Sequence, residues 1–464
     1  MRMRAMTQKG GDMFKDDDNG VKPSLSPGTA LGMLGSLLIL CLMMTGCSRK
    51  DFSDALTPPA ETSAPAVPAP PAPSTVLLAH WKLDGNAQDA SGNAVNGTPV
   101  SSPTYERGVV GTQALTGFGS SSYLDFGTSL TSVLTTDRDW SVSFWFRTNV
   151  TETSFLECDG AFTLSLDSNG RLRFSKAYGD WTGARGQTML PLNRWIHAVY
   201  VHHSDNTVEI YLNSNPETLT TNLTALSAGT SLWVGRTALG FLNGAMDDVR
   251  IYSGALNSGD VLQLFEAGPV SWWRLDESSG NPLDAMTAAN DGTVYGAYQF
   301  ISGGKFGGYA SFGGTSEYIE LPNAGNVISP SNPWTLAFWM RISDLTAEHH
   351  IIGNIGTWNI YRLANSTRLY FFSGAGTTAY INNPPFSVST WAHVTVTGNG
   401  NTDTILMYID GNPIPIGGGN YGSYSVSPSL YLGRFGSYYY TGDLDDVRVY
   451  KRVLTQAEIA EIMQ

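Results

Sequence analysis

Residues 244–252 read GAMDDVRIY, and residues 442–450 read GDLDDVRVY. Four further pairs of blocks recur in the same order: HWKLD at 80–84 and WWRLD at 272–276, WSVSFWFR at 140–147 and WTLAFWMR at 334–341, WIH at 195–197 and WAH at 391–393, and LWVGR at 232–236 and LYLGR at 430–434. The offset between the copies grows only from 192 to 198 residues along the chain. Because a solenoid repeat is only about 20–50 residues long, this period indicates a duplicated domain.

The repeated blocks have the period of β-strands. In 140–147, Trp140, Val142, Phe144 and Phe146 fall on one face of an extended chain, and the second copy repeats this alternation. Turn sequences such as Asp410-Gly411 separate the blocks. Many short strands in each unit predict an antiparallel sandwich of two sheets.

Each copy ends with the start signal of a helix. Thr455 and Glu458 have the spacing of a capping box, and Asn257 and Asp260 repeat it in the first copy. The predicted fold is therefore all-β: two tandem antiparallel β-sandwiches, each closed by a short C-terminal helix.

The composition restricts the function. The 464 residues include 51 glycines and 11% aromatic residues, which suit turn-rich β structure. Charged residues make up only 14% of the chain, and the formal net charge is −13. Nucleic acid is not an expected partner, because phosphate binding needs clustered Lys and Arg side chains.

The amino-terminal region has the features of an export signal. Residues 30–46 are apolar and uncharged, Cys47 follows at once, and the MTG sequence at 44–46 resembles a lipobox. This predicts lipidation of Cys47 and attachment to the membrane through the lipid alone. A plain signal peptide or a transmembrane anchor is the alternative. Ser48 in place of Asp favours, by resemblance to Gram-negative lipoproteins, the outer membrane and an outward orientation, with secretion as the other possibility.

Four segments follow from these signals. Residues 1–47 are the export segment, and residues 48–75, rich in Pro and Ala, are predicted to be a disordered tether. Residues 76–267 and 269–464 are the two sandwich domains. Cys158 is then the one cysteine outside the export segment, so no internal disulfide is expected.

The blocks resemble the laminin-G-like, concanavalin A-like jelly-roll family. The resemblance rests on the opening WxLD, the FWxR strand, WxH, LxGR and the closing DDVRxY before a helix, and it covers about 190 residues twice. It implies a jelly-roll fold for both sandwiches. Because members of the family include glycan binders, protein adhesins and accessory domains of enzymes, the family defines the ligand poorly.

The repeated aspartates are candidate calcium ligands. Alternation places Asp247 on the same side of its strand as Val249, and an inward carboxylate needs a partner. The resemblance implies a structural calcium ion, because family members often hold one. Its predicted ligands are the four aspartates that begin or end a copy: Asp84, Asp247, Asp276 and Asp445. The alternative is that these carboxylates cap backbone N–H groups or pair with Arg236 or Arg434.

Loop aromatics are candidate glycan-binding residues, because aromatic faces stack on sugar rings. They are Tyr178, Trp181, Trp358, Tyr421, Tyr424, Tyr438, Tyr439 and Tyr440. The run 438–440 is expected to be exposed, and the alternative is that all of them pack beneath loops.

Catalytic patterns are not found in the sequence. The nearest cluster of acids (Glu152, Glu157 and Asp159) has no counterpart in the second copy, and the repeated His197 and His393 are expected to be structural hydrogen-bonding residues. The sequence therefore predicts a non-catalytic cell-surface protein that binds a polysaccharide or glycoprotein. A protein-binding adhesin or a structural spacer is the alternative, and a glycoside hydrolase is less favoured.

Overall fold

A computed structural model describes residues 75–116, 121–176, 183–219, 225–238, 240–373, 378–400, 404–418 and 426–464. The export segment with Cys47 and almost all of the tether lie outside these ranges. Within them, no helix is long and apolar enough to cross a membrane. Both sandwiches belong to one compact unit of the chain, residues 67–464.

The first sandwich is built from short strands and ends in helix α1 (Ser258–Phe265). Its strands in the described residues are β1 (Val76–Trp81), β2 (Thr98–Val100), β3 (Thr104–Arg107), β4 (Gln113–Thr116), β5 (Tyr123–Asp125), β6 (Trp140–Thr148), β7 (Thr153–Cys158), β8 (Phe162–Leu166), β9 (Leu172–Ser175), β10 (Ala184–Arg185), β11 (Ile196–His202), β12 (Val208–Leu212), β13 (Asn215–Pro216), β14 (Leu232–Val234), β15 (Arg236–Thr237), β16 (Gly240–Phe241) and β17 (Gly244–Ser253).

The second sandwich repeats this arrangement and ends in helix α2 (Gln456–Ile462), with short 3-10 helices at Ala288–Asn290 and Ala324–Asn326. Its strands in the same described part of the chain are β18 (Ser271–Trp273), β19 (Thr293–Tyr295), β20 (Gln299–Phe306), β21 (Gly308–Gly313), β22 (Tyr318–Leu321), β23 (Trp334–Ile342), β24 (His349–Asn354), β25 (Trp358–Arg362), β26 (Arg368–Ser373), β27 (Thr378–Asn382), β28 (Ala392–Gly398), β29 (Ile405–Ile409), β30 (Asn412–Ile414), β31 (Ile416–Gly418), β32 (Leu430–Leu432), β33 (Arg434–Phe435), β34 (Tyr438–Tyr439) and β35 (Thr441–Tyr450).

Two antiparallel sheets form each sandwich. The front sheet contains the long last strand: its order is β13-β12-β11-β6-β17-β4-β3 with β1 on β17, and β20-β21-β35-β23-β28-β29-β30 with β18 on β35. The back sheet has the order β10-β9-β8-β7-β14-β5-β2 in the first sandwich and β19-β22-β32-β24-β25-β26-β27-β31 in the second. This architecture confirms the predicted all-β fold of two tandem jelly rolls.

The core of each sandwich lies between its two sheets. Trp140, Val142, Phe144 and Phe146 of β6 all point into the first core, as their alternation predicts, and Trp145 points to the outer face. The matching residues of β23 fill the second core.

Both predicted capping boxes are present. In α2, the side chain of Thr455 accepts a hydrogen bond from the N–H of Glu458, and the carboxylate of Glu458 accepts one from the N–H of Thr455. Asn257 and Asp260 form the same pair of bonds in α1. Each helix packs its apolar face on the outer side of its own front sheet.

An apolar cluster joins the two sandwiches. Trp145 on β6 and Trp195, which comes directly before β11, pack with Trp272 and Met286 of the second sandwich, and all four are buried. The backbone N–H of Trp195 donates to the carbonyl of Ala285 at 2.8 Å. The contact therefore combines hydrophobic burial with a directional backbone bond.

Three arginines cross the same contact. Arg107 binds both carboxylate oxygens of Asp446 at 2.6 and 2.8 Å. Arg194 binds Asp291 in the same bidentate way at 2.9 and 2.8 Å. Arg452 donates to two backbone carbonyls at the end of α1 at 2.8 and 2.9 Å. Because bidentate arginine pairs restrict geometry, the two sandwiches are held in one arrangement.

Candidate ligand-binding faces

The paired aspartates lie at a bulge in the last strand. Asp247 pairs with Trp145 on β6, whereas Asp248 has no register partner there and has a φ of 49°. Asp446 has the same left-handed conformation in β35, with a φ of 53°. The extra residue reverses the alternation. Asp247 therefore shares the outer face with Trp145, and the prediction that it lies on the core side with Val249 is wrong.

Two predicted metal ligands of the first sandwich hold the turn between β3 and β4. Asp84 Oδ1 accepts three hydrogen bonds of 2.7–2.8 Å, from the N–H and the hydroxyl of Thr112 and from the N–H of Gln113. Asp247 Oδ2 accepts the N–H groups of Val109 and Val110 at 2.8 and 3.0 Å. The two carboxylates thus bind the two sides of one turn.

The second sandwich repeats this arrangement at the turn between β20 and β21. Asp445 Oδ2 accepts the N–H of Phe306 at 2.9 Å, and Asp276 Oδ1 accepts the N–H of Gly308 at 2.7 Å. A Cβ on Gly304 would lie 2.7 Å from Asp445 Oδ2, so the carboxylate needs glycine at that position. This turn was not predicted as the partner of the aspartates, although Gly108 and Gly304 lie at the same place in the two copies and were the available signal.

One oxygen of Asp247 and one of Asp445 are buried without a hydrogen-bond partner among the described residues. Burial raises the pKa of Asp445 to about 8 and that of Asp247 well above its usual value. Each of these oxygens has room in its hydrogen bonding for one further partner, such as a proton, a water molecule or a cation. Calcium takes about six to eight oxygen ligands, and in the described part of the chain no group of three acidic, His or Cys side chains is placed to hold a metal. Calcium at these four aspartates stays a prediction that requires backbone oxygens.

The neighbouring aspartates form ion pairs. Asp248 accepts the ring N–H of His80 at 2.7 Å and pairs with Arg250 at 3.0 Å. Asp446 pairs with Arg107 and Arg448, and these cations hold the pKa of its buried carboxyl well below the usual value although burial alone would raise it. Both aspartates are structural, and the second one ties the sandwiches together.

Two of the predicted ligand-binding aromatics lie in the core. Trp358 and Tyr440 are fully buried in the second sandwich. The predicted exposure of Tyr440 is therefore wrong, and Trp358 begins strand β25 instead of lying in a ligand-binding loop. Trp358 stacks on Phe371 at 5.6 Å, and the Tyr440 hydroxyl donates to the carbonyl of Arg341 at 3.1 Å. Four more predicted residues lie outside the described ranges: Tyr178, Trp181, Tyr421 and Tyr424.

A row of aromatic rings crosses the outer face of the second back sheet. His350, Tyr361, Tyr370 and Tyr380 face one another directly on β24, β25, β26 and β27. Their ring centres are 5.3, 5.0 and 5.9 Å apart in that order. Tyr438 extends this tyrosine row at one end, with its ring 4.6 Å from that of His350, and it is 52% exposed. Among the predicted aromatics within the described ranges, Tyr438 is the most exposed to solvent.

The tyrosine row was not predicted, because its members could be found only after the strands had been paired. Three of the tyrosines are half-buried, with their rings covered on one or both sides by neighbours in the row. Burial raises the pKa of Tyr361, and Tyr370 raises it further, so its hydroxyl is a proton donor at neutral pH. The row therefore offers ring edges and hydroxyl groups along its length, and a ring face at Tyr438.

The first sandwich carries different residues at the same register positions. They are Ser154, Ser165, Arg173 and Arg185. All except Arg185 are buried. The two back sheets therefore differ in chemistry along this row.

His197 and Glu157 of the first sandwich are buried, whereas Asp159 is half-buried and Glu152 is exposed. His197 Nε2 lies 2.8 Å from the Ser143 hydroxyl, and burial lowers the pKa of His197 to about 3, as it does for His393. Burial raises the pKa of Glu157, whose carboxylate accepts the N–H of Ala238. These contacts match the structural role expected for the histidines.

Solved structures with a similar fold are distant in sequence. Domain 4 of AbnA, a GH43 extracellular arabinanase from Geobacillus stearothermophilus, is 21% identical over 41% of this chain and 98% of that domain, with a TM-score of 0.35. Mouse laminin alpha1 domains LG4-5 are 13% identical over 86% and 97%, with a TM-score of 0.24. The binding domain of Paraclostridial Mosquitocidal Protein 1 is 12% identical over 74% and 92%, with a TM-score of 0.37. No curated protein matches the chain.

A family model matches both sandwiches. The model of the concanavalin A-like lectin/glucanases superfamily, Laminin_G_3, matches residues 118–262 and 312–460, which together exceed half of the chain. The chain therefore belongs to the concanavalin A-like lectin/glucanases superfamily.

Proposed function

We propose that this chain is a non-catalytic cell-surface protein that binds glycans or glycoconjugates on the outer face of its second back sheet. The observation that carries the proposal is the tyrosine row with the exposed Tyr438 at its end. Lipidation of Cys47 and the tether 48–75, as predicted from the sequence, would place this face outside the cell envelope.

The chemistry of the row suits a sugar chain. A saccharide offers hydroxyl groups to polar partners and C–H faces to aromatic rings, and a binding site needs both kinds of contact. The hydroxyls of Tyr361 and Tyr370 supply the first, and the ring of Tyr438 supplies the second. Arg368 adds a cation, with its guanidinium 4.0 Å from the Tyr380 ring and its Nε bonded to Asn382 at 2.9 Å.

Substitution of the row tests the proposal. The full chain is screened on a glycan array with and without EDTA, and the affinity for each bound glycan is measured by calorimetry. Tyr438→Ala and Tyr370→Ala are each expected to weaken binding about tenfold, which corresponds to about 1.4 kcal/mol. Val388→Ala, an exposed apolar residue of the same sandwich away from the row, is the matched control.

The double variant decides the outcome. Binding that survives Tyr370→Ala combined with Tyr438→Ala, with an unchanged thermal midpoint, would exclude the tyrosine row as the site. The thermal midpoint of the double variant, measured with and without EDTA, also separates glycan binding from calcium binding. A shift with EDTA that persists in this variant arises from metal bound outside the tyrosine row.

A protein-binding adhesin or rigid spacer is the second candidate function. The observation that favours it is the fixed contact between the sandwiches through Arg107 and Asp446. A chain that gives no glycan signal on the array but binds a purified surface protein would support this candidate and contradict the first.

A further inference from the structure

A second aromatic surface occurs on both back sheets, at equivalent positions. In the first sandwich it consists of Tyr123, Trp233, Arg236 and Phe241, and in the second of Tyr318, Tyr431, Arg434 and Tyr439. The strand register establishes the equivalence: Trp233 pairs with Asp125 as Tyr431 pairs with Glu320. We call each set an aromatic–arginine patch.

The arginine of each patch lies over aromatic rings. The Arg236 guanidinium is 4.8 Å from the Tyr123 ring and 4.3 Å from the Trp233 ring. The Arg434 guanidinium is 4.5 Å from the Tyr318 ring and 5.9 Å from the Tyr439 ring.

All eight patch residues are half-buried, so part of each stays accessible to a ligand. An acid lies beside both patches, since Asp125 and Glu320 occupy the same register position. In the second sandwich Glu320 accepts the hydroxyl of Tyr431 at 3.2 Å.

The patches match although the surfaces beside them do not. At the register positions of the tyrosine row, which lies next to the patch, the first sandwich has Ser and Arg where the second has His and Tyr. Both patches, in contrast, contain a Tyr, an acid, a second aromatic residue, an Arg and a third aromatic residue. A half-exposed group of rings, guanidinium and carboxylate offers C–H stacking, hydrogen-bond donors and acceptors together. These are the groups that a saccharide unit needs.

We infer that the two patches are equivalent saccharide subsites and that the chain binds a repeating polysaccharide bivalently. This inference rests on the proposed function and adds the class of ligand, a polymer. The buried contact through Arg107, Arg194 and Arg452 fixes the spacing of the patches. A second site held at a fixed spacing binds its unit of the same polymer at a high effective concentration.

The test compares polymers with short fragments. Xylan, glucomannan and laminarin, each against its own trisaccharide, are titrated into the full chain by calorimetry. The titrations use the chain that also carries Tyr370→Ala and Tyr438→Ala, so that the tyrosine row does not contribute. The polymer is expected to bind about 100-fold more tightly than its trisaccharide, with two trisaccharides per chain. Trp233→Ala or Tyr431→Ala should each lower polymer affinity to the level of the trisaccharide and reduce the trisaccharide number to one. Arg236→Gln and Arg434→Gln keep the rings and serve as the second pair if an alanine variant misfolds.

A third variant separates spacing from contact. Arg107→Met leaves both patches intact, so trisaccharide binding should be unchanged while polymer affinity falls. Equal affinity for polymer and trisaccharide, or a single variant that halves the capacity without loss of affinity, would overturn the bivalent inference and leave the glycan function standing. No binding of the wild-type chain to any of the three polymers or their fragments would count against both.

Discussion

A pair of buried charges contributes to the contact between the sandwiches, and Arg107→Met should weaken that contact. Asp446 is 2% exposed and receives two hydrogen bonds from Arg107. Removing one partner of a buried pair leaves the other charge without compensation, which costs about 3–5 kcal/mol. Asp446 keeps Arg448 at 3.2 Å and the indole N–H of Trp272 at 2.6 Å. We therefore expect the lower end, about 3 kcal/mol.

The pH dependence of this loss follows from the same pair. Arg107 and Arg448 hold the pKa of the Asp446 carboxyl below its ordinary value of 3.8 although burial opposes them. A lowered pKa contributes stability that is present above pH 3.8 and is lost as the pH falls toward the folded-state pKa. The difference between wild type and Arg107→Met should be constant from pH 8 to pH 5 and shrink below about pH 4.

Urea unfolding followed by tryptophan fluorescence, together with calorimetry, measures both effects. The wild type should unfold in one transition and Arg107→Met in two, because the weakened contact couples the unfolding of the two sandwiches less strongly. Lys82→Met is the matched control. Lys82 also bridges the sandwiches, to Glu461 at 3.3 Å, but the two side chains are 47% and 35% exposed. It should cost less than about 1 kcal/mol. If Arg107→Met costs no more than Lys82→Met, the buried pair does not hold the contact.

Four further predictions concern single residues. Burial raises the pKa of Asp284 to about 6, so between about pH 4 and pH 6 the folded chain holds a proton that the unfolded chain has lost. Across that window the urea midpoint of Asp284→Asn should fall less with rising pH than that of the wild type, by the contribution of this one proton, and equal slopes would contradict the assignment. Thr455→Ala removes the capping box of α2 and should cost about 1 kcal/mol in urea unfolding, with Thr455→Ser restoring it. In thermal melts Trp358→Ala should cost about 3–5 kcal/mol as a core residue, whereas Tyr438→Ala should change stability by less than about 0.5 kcal/mol; equal costs would refute the burial assigned to them. If calcium binds, it should raise the melting midpoint of the wild type and not of Asp445→Asn, and a midpoint unmoved by EDTA would exclude structural calcium.

Much of the fold was accessible from the sequence because its signals are local and occur twice. The alternation of apolar residues along β6 predicts which side chains face the core. The capping residues Thr455 and Asn257 predict where the two helices begin. The two-residue strands, such as β15 and β16, were not predictable in the same way. Their pairing depends on the position of the neighbouring sheet, and no periodicity exists over two residues.

The site was less accessible, for a physical reason. A bulge adds one residue, and one residue is enough to invert every later side chain on a strand. Asp248 has a left-handed φ that no pattern in the sequence reveals, so Asp247 was assigned to the wrong face. Trp358 was misassigned for a related reason: whether an isolated aromatic faces the core depends on strand register, which pairing determines. Tyr361 and Tyr370 became neighbours only through that pairing.

The two sandwiches contribute different surfaces to their contact, and the residues at equivalent register positions explain the difference. In the first sandwich the small Ala114 and Ala245 leave room on the outer face for Met286 to pack on Trp145 and Trp195. Tyr309 and Asp443 occupy the same register positions in the second sandwich. There the guanidinium of Arg341 lies 4.9 Å from the Tyr309 ring and 4.8 Å from the Trp391 ring, and its Nε bonds Asp443 at 2.7 Å. The second sandwich thus fills with its own side chains the surface that the first uses for docking. The two copies of the fold therefore play different parts in the contact: the first sandwich provides the surface, and the second provides the segment with Met286 that packs on it.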